Sequence, residues 1–155
     1  MWNRRKQLRM KRIILLYITL LAATIGLVSC DKKDINGDLD GQWQLVRWEN
    51  KADGNVVKDG PTYIYWTVKL QLIQIYDKTP SAAANSLNAF CEFQVKGDSL
   101  ILTQAYKRPD DSKIPFSDLQ QYGVPFNGRM KIESLDSRNL VLSSTENKLY
   151  FRKNE

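Results

Sequence analysis

The sequence contains no histidine and only two cysteines. This absence excludes serine–histidine–aspartate and cysteine–histidine nucleophilic systems, and it excludes zinc sites built on histidine or on several cysteines. None of the eight glycines has the spacing of a phosphate-binding or dinucleotide-binding loop. Carboxylates are common, but most aspartates fall in turn-like segments, where solvated side chains are the norm. We therefore predict no enzymatic activity, no cofactor and no metal site.

The N-terminus has the pattern of an export signal. Six basic residues and no acidic one stand in the first twelve positions, and residues 13–28 are almost wholly apolar. That run is shorter than the roughly 20 residues of a membrane-spanning helix, and a polar, charged segment follows it. These features favour a signal helix that is removed, over the alternative of an uncleaved anchor.

A cysteine closes the apolar run. The segment Leu27-Val28-Ser29-Cys30 resembles the lipobox of bacterial lipoproteins, in which a peptidase cuts before the cysteine and lipid is attached to its thiol. The resemblance implies a signal peptide over residues 1–29, a lipidated Cys30 with palmitate-type acyl chains, a tether over 30–40 and a folded domain over 41–155. The implied location is the cell envelope, on the outer membrane, with the periplasmic and surface-facing sides both open.

Removal of the signal peptide changes the charge of the chain. The full sequence has 23 lysines and arginines against 17 acidic residues. The leader holds six of the basic residues and none of the acids, which leaves 17 of each in the mature chain. A neutral domain gives no reason to expect nucleic-acid binding, whereas the acylated cysteine makes the lipid bilayer a partner.

The rest of the chain reads as β-strands separated by polar turns. Long helical periods are missing, and apolar residues alternate with polar ones, which predicts an all-β antiparallel up-and-down meander that closes into a small barrel. In the second stretch the alternation reverses after Leu72, which we interpret as a bulge in one long strand. Seven stretches are predicted as strands: 41–49, 62–76, 88–95, 99–106, 128–135, 140–145 and 148–153.

Residues 107–127 interrupt the strand pattern. Three prolines in this segment predict that no strand runs through it. Within it, residues 117–123 resemble a short helix, with Ser117 as the N-cap and Gly123 as the C-terminal left-handed residue. The segment is either a lid over one barrel end or a long surface loop.

With the strands in place, the chain resembles the lipocalin-like domains of lipoproteins from Bacteroides and its relatives. The resemblance rests on Gly41-Gln42-Trp43, on the run 131–153 and on residues 120–123. It implies a barrel in which Trp43 closes one end and Arg152 of the last strand packs over the indole. Strict alternation turns Arg152 outward, so this pair requires a twist at the end of the strand.

Binding is the function that these features favour. Inward-facing apolar residues would line a lumen suited to a small hydrophobic ligand, or would fill a packed core that needs no ligand. Tyr63 and Tyr65, with Trp48 near them, would face outward and contact a glycan or a protein partner. The sequence leaves the oligomeric state open. The predicted lumen residues are Leu45, Ile64, Trp66, Val68, Leu70, Cys91, Phe93, Leu102, Leu142 and Phe151.

Overall fold

The computed structural model describes residues 35–80 and 87–154. Cys30, the signal peptide and residues 31–34 of the predicted tether lie outside the described residues. Ten strands and two 3-10 helices make up this part of the chain. Their bounds are β1 Gly41–Asn50, β2 Val56–Asp59, β3 Ile64–Lys69, β4 Leu72–Asp77, β5 Asn88–Lys96, β6 Ser99–Lys107, β7 Ser112–Ile114, β8 Arg129–Leu135, β9 Asn139–Ser143 and β10 Asn147–Asn154, with 3-10 helices at Gly37–Leu39 and Phe116–Tyr122.

Eight of these ten strands close into a ring in the described part of the chain. The order around the ring is β1, β3, β4, β5, β6, β8, β9 and β10, and β10 pairs with β1 to complete it. All pairs are antiparallel, while β2 adds to β1 and β7 adds to β6. The prediction of an all-β antiparallel barrel with one short helix in its long loop is confirmed.

The antiparallel order gives the barrel two distinct ends. At the proximal end β1 begins, β10 finishes, and short turns join β3 to β4, β5 to β6 and β8 to β9. At the distal end lie the longer connections, including residues 108–128. Among the described residues no helix is long and apolar enough to span a membrane.

The predicted long strand 62–76 is wrong, because the chain folds back within it. β3 and β4 pair from Ile64 with Asp77 to Lys69 with Leu72, and Leu70 and Gln71 form the turn between them. Leu70 has a φ of 58°, the left-handed conformation that two-residue hairpin loops require. The reversed alternation after Leu72 therefore marks a hairpin and not a bulge.

The segment 107–127 also differs from its prediction in detail. A three-residue strand, β7, forms between Pro109 and Pro115 and pairs with β6, so prolines bound the strand without preventing it. The predicted helix is a 3-10 helix, preceded by Pro115 without a side-chain cap. The Ser117 hydroxyl donates to the Asp118 carboxylate at 3.3 Å instead of capping the helix. Gly123 follows the helix with a φ of 91°, as predicted.

This segment closes the distal end of the barrel. Leu119 and Val124 are fully buried, and Tyr122 is 8% exposed. A Cβ atom at Gly123 would lie 2.8 Å from Cδ1 of Leu149 on β10, so the backbone rests directly on the first core residue of the last strand. Of the two alternatives, a lid and a surface loop, the burial favours the lid.

Candidate functional site

The barrel interior gathers most of the residues predicted to line a lumen. Nine of the ten are buried, at 0% to 5% exposure. The exception is Leu70, which is 55% exposed because it lies in the β3–β4 turn. The buried nine are Leu45, Ile64, Trp66, Val68, Cys91, Phe93, Leu102, Leu142 and Phe151.

Side chains fill this interior. The rings of Trp66 and Phe151 are in contact, with a centroid distance of 5.2 Å and a tilt of 53° between their planes, within the 4.5–7 Å range of interacting aromatic pairs. Trp66 is 1% exposed, and Leu45 and Leu142 have no exposed surface. These side chains therefore leave almost no space beside them that a water molecule could enter, as in a packed protein core.

One buried polar atom in this core lacks a partner. Nε1 of Trp66 makes no hydrogen bond with the described residues. The other two indoles of the barrel are satisfied: Nε1 of Trp43 donates to the Leu39 carbonyl at 2.8 Å and Nε1 of Trp48 donates to Oδ1 of Asn147 at 2.9 Å. An unpaired buried donor costs about 1–3 kcal/mol, so the Trp66 N–H is a place where a hydrogen-bond acceptor would be favoured.

The only described cysteine lies in the same core. Cys91 is free and fully buried. Burial raises the pKa of its thiol to about 12, so the thiol stays neutral and behaves as a small apolar side chain.

Trp43 lies at the proximal end, as the resemblance implied, but its cation comes from a different residue. Nζ of Lys153 is 4.8 Å from the centroid of the Trp43 ring, and it donates to the Asp38 carbonyl at 2.9 Å. Arg152 is exposed and pairs with Gln44 and Asn139. The predicted Trp43–Arg152 pair is corrected to Trp43–Lys153, because alternation puts Lys153 on the face of Phe151 and turns Arg152 outward.

The predicted outward-facing aromatics do not form one surface. Tyr63 is 53% exposed, whereas the Tyr65 ring stacks on Tyr76 at a centroid distance of 5.5 Å. Nζ of Lys78 lies 5.0 Å from the Tyr65 centroid and 5.2 Å from the Tyr76 centroid. Trp48, expected near these tyrosines, is 8% exposed and belongs to the core. Tyr63 is thus the member of the set that is open to a partner.

A shallow groove of about 270 Å³ lies beside Tyr63. Two carboxylates contribute to its lining, Asp59 and Asp77. Asp59 is 3.4 Å from the Arg47 guanidinium, and Asp77 accepts a hydrogen bond from the Thr79 backbone at 2.8 Å. An exposed aromatic ring beside hydrogen-bonding carboxylates is chemistry suited to a sugar. The groove is lined by Lys58, Asp59, Gly60, Pro61, Thr62, Tyr63, Ile64, Asp77 and Thr79.

Charged residues on the outer face tie β1 to β10. Nε of Arg47 is 2.7 Å from Oε1 of Glu49, and the Tyr150 hydroxyl donates to the other Glu49 oxygen at 2.9 Å. Two hydrogen bonds lower the pKa of Glu49: the one from Arg47 has the larger effect and the one from Tyr150 the smaller. Such a network supports strand pairing. In the described ranges, no group of three or more cysteine, aspartate or glutamate side chains is placed to hold a metal ion.

Two features of the proximal end were not predicted from the sequence. Leu39 precedes the first predicted strand, yet it is 2% exposed and accepts the Trp43 indole hydrogen bond. Ile35, Leu70, Leu72 and Val95 form exposed apolar surface at the proximal end. The turn position of Leu70, which carries no glycine, asparagine or proline signal, hid this patch.

Comparison with known proteins agrees with this architecture. A lipocalin-like protein from Bacteroides uniformis superposes with a TM-score of 0.57 at 23% identity, covering 76% of this chain and 100% of the relative. An uncharacterized protein from Bacteroides eggerthii gives a TM-score of 0.54 at 20% identity, with coverage of 75% and 99%. At these identities the likeness concerns the fold alone.

No curated protein matches the sequence. A family model does: the lipocalin-like domain model matches residues 25–154, most of the chain and all the described strands. Members of such families are generally non-catalytic binding proteins. The chain belongs to the lipocalin-like domain family.

Proposed function

We propose that this protein is a non-catalytic envelope lipoprotein, anchored through an acylated Cys30, that binds its partner on the outer surface of the barrel. The observation that carries the proposal is the filled interior: Trp43, Leu45 and Leu142 have no exposed surface, and Trp66 has 1%. A ligand cavity commonly has a volume of about 300–1,000 Å³, and side chains that line such a cavity would have surface accessible to a small molecule. Both ends are also covered, by Leu39 at the proximal end and by Leu119 and Val124 at the distal end.

A lumen ligand is the competing function, and the unpaired Trp66 N–H favours it. Such a ligand would have to displace packed side chains, and forcing extra volume into a filled core typically costs about 1–3 kcal/mol. A hydrogen bond to the Trp66 N–H would recover at most the about 1–3 kcal/mol that the unpaired donor costs, so this bond alone does not exceed the cost of the displacement. We therefore assign the binding role to the surface.

Native mass spectrometry of the chain from Lys32 onward separates the two functions. We expect a single mass without a co-purifying molecule and no uptake of a small apolar probe such as benzene. Phe151→Ala supplies the positive control, since it opens a cavity beside Trp66 and an apolar cavity of that kind binds such probes. A wild-type protein that retains a small molecule, or binds the probe as well as the Phe151→Ala variant, would refute the packed-barrel assignment.

The surface site that we propose is the groove beside Tyr63, and its partner is a glycan. Support comes from the exposed ring and from Asp59 and Asp77, which offer acceptors to sugar hydroxyls. We expect Tyr63→Ala to abolish binding to a glycan panel while leaving the unfolding midpoint unchanged. Tyr106→Ala is the control, since Tyr106 is an outward-facing tyrosine on β6 that does not line the groove. Wild-type protein without glycan binding, or an unaffected Tyr63→Ala variant, would reject this site.

The anchor is tested by cell fractionation. We expect Cys30→Ser to move the protein from the outer-membrane fraction to the soluble fraction, since the acyl chains would be missing. Cys91→Ser keeps the proposed anchor and serves as the control. If the Cys30→Ser variant still pellets with membranes, the leader acts as an uncleaved anchor and the lipoprotein assignment fails.

A further inference from the structure

The proximal end of the barrel carries an unusual amount of exposed apolar surface. Ile35 is 65% exposed, Leu70 55%, Val95 44% and Leu72 40%. Three of them, Ile35, Leu70 and Leu72, line one groove of about 690 Å³ whose wall includes the nearly buried Phe93. Val95 lines an adjoining groove that shares Gln71, Phe93 and Gln94 with the first. These four residues therefore form one surface, the proximal patch.

The chain itself holds this patch together. The side-chain amide of Asn36 donates to the Leu70 carbonyl at 2.6 Å, which fixes the residue after Ile35 against the β3–β4 turn. Asn36 also donates to the Asp40 carboxylate through its backbone at 3.1 Å and its side chain at 2.6 Å. These hydrogen bonds thus hold the first described residues at the edge of the proximal patch.

The distance to Cys30 limits what can cover the patch. Five peptide steps separate Cys30 from Ile35, and a fully extended chain advances at most about 3.6 Å per residue, or about 18 Å in all. If acyl chains on Cys30 are embedded in a bilayer, Ile35 lies within about 18 Å of the lipid headgroups. The rest of the patch adjoins Ile35, so the nearest apolar medium is the bilayer.

The charges around the patch suit a lipid surface. Lys69 and Lys96 are exposed at its border, whereas Lys32 and Lys33 in the tether are balanced by Asp31 and Asp34. Lysines that flank apolar residues contact anionic headgroups favourably. The groove wall also contains one acidic residue, Glu92, whose carboxylate accepts a hydrogen bond from the Tyr106 hydroxyl at 3.2 Å. This hydrogen bond partly satisfies the carboxylate within the protein.

We propose that the proximal patch docks on the lipid bilayer, so that Ile35, Leu70, Leu72 and Val95 enter the headgroup region and the barrel stands with its distal end outward. This inference rests on the proposed anchoring through Cys30. It goes beyond anchoring because an acyl tether alone leaves the domain free to tumble above the membrane. Docking fixes its orientation and presents the Tyr63 groove, at the distal end, to the aqueous phase.

Fluorescent labels at two matched valines test the orientation. Val95 at the proximal end and Val56 on β2 are both 44% exposed. Val56 pairs with Glu49. Glu49 lies about 26 Å along β1 from Gly41, since a strand rises about 3.3 Å per residue. Val95→Cys and Val56→Cys are introduced separately into the full-length lipidated protein. The label reaches only the new thiol, because Cys30 is acylated and Cys91 is buried.

The proteins are reconstituted into vesicles of phosphatidylethanolamine and phosphatidylglycerol and exposed to lipid-soluble and water-soluble quenchers. We expect the lipid-soluble quencher to act several-fold more strongly on the Val95 label than on the Val56 label, with the opposite order for the water-soluble one. Adding Leu70→Ser and Leu72→Ser to the Val95-labelled protein should remove that preference without releasing the protein from vesicles.

Three results would overturn the docking. Equal quenching of both labels in protein that floats with the vesicles refutes docking while leaving the anchor intact. A Val95 label shielded from both quenchers, with cross-linking between chains, shows that a second copy covers the patch. Protein that does not float with the vesicles refutes the anchor, and the docking with it.

Discussion

Replacement of Gly123 by alanine tests how the lid is held on the barrel. Gly123 has a φ of 91°, and a Cβ atom there would lie 2.8 Å and 3.0 Å from the two methyl carbons of Leu149. A left-handed conformation costs a residue with a Cβ about 1–2 kcal/mol, and overpacking costs about 1–3 kcal/mol more. We therefore expect Gly123→Ala to lower the free energy of unfolding by about 2–5 kcal/mol.

The assay is equilibrium unfolding in urea of the chain from Lys32 onward, followed by the fluorescence of the three core tryptophans. Gly97→Ala is the matched control, because Gly97 also has a positive φ of 62° but a Cβ there meets nothing within 4 Å. This control carries the backbone cost alone, about 1–2 kcal/mol. Equal losses in the two variants would show that Gly123 does not rest on Leu149, and the description of the lid as packed on β10 would be wrong.

Three further predictions concern single side chains. Cys91 should not react with a thiol reagent at pH 8 until the protein unfolds, since burial raises its pKa to about 12; rapid reaction of native protein would contradict its place in the core. Lys153→Met should lower the free energy of unfolding by about 0.5–2 kcal/mol through loss of the cation over Trp43, whereas Arg152→Met should change it little; the reverse order would restore the Arg152 pairing. The pKa of Glu49 is lowered from 4.5, so its stabilising effect is present above that value and is lost as the pH falls through the folded-state pKa. Urea unfolding between pH 3 and pH 7 should show a smaller loss at acid pH for Glu49→Gln than for the wild type, and identical profiles would remove Glu49 from the pH response.

The sequence predicted the barrel because strand alternation is a local property that the fold preserves. It did not predict the β3–β4 hairpin, because the turn at Leu70 and Gln71 carries none of the residues that usually signal one. A leucine with a φ of 58° is tolerated there because the six residue pairs that flank the turn, from Ile64 with Asp77 to Lys69 with Leu72, fix the register. Tertiary pairing overrides the local preference of a single residue.

The candidate site was predictable in part for a related reason. Alternation correctly placed nine of the ten core residues, and applied strictly it also indicates Lys153 and not Arg152 beside Trp43. The expectation from the family resemblance pointed to the neighbouring residue. Burial of Leu119 and Val124 depends on where a long connection folds back, which no sequence period encodes.

The pairing of β1 with β10 has a consequence for the order of folding. Gln42 pairs with Asn154, so the first strand of the ring finds one of its two neighbours only when the chain is available as far as Asn154. Closing a loop of that size is slow and entropically unfavourable until the contacts that offset it can form. A chain whose last strand has not yet docked thus has no seam, and the edge of β1 that pairs with β10 keeps its backbone N–H and C=O groups unpaired until β10 arrives.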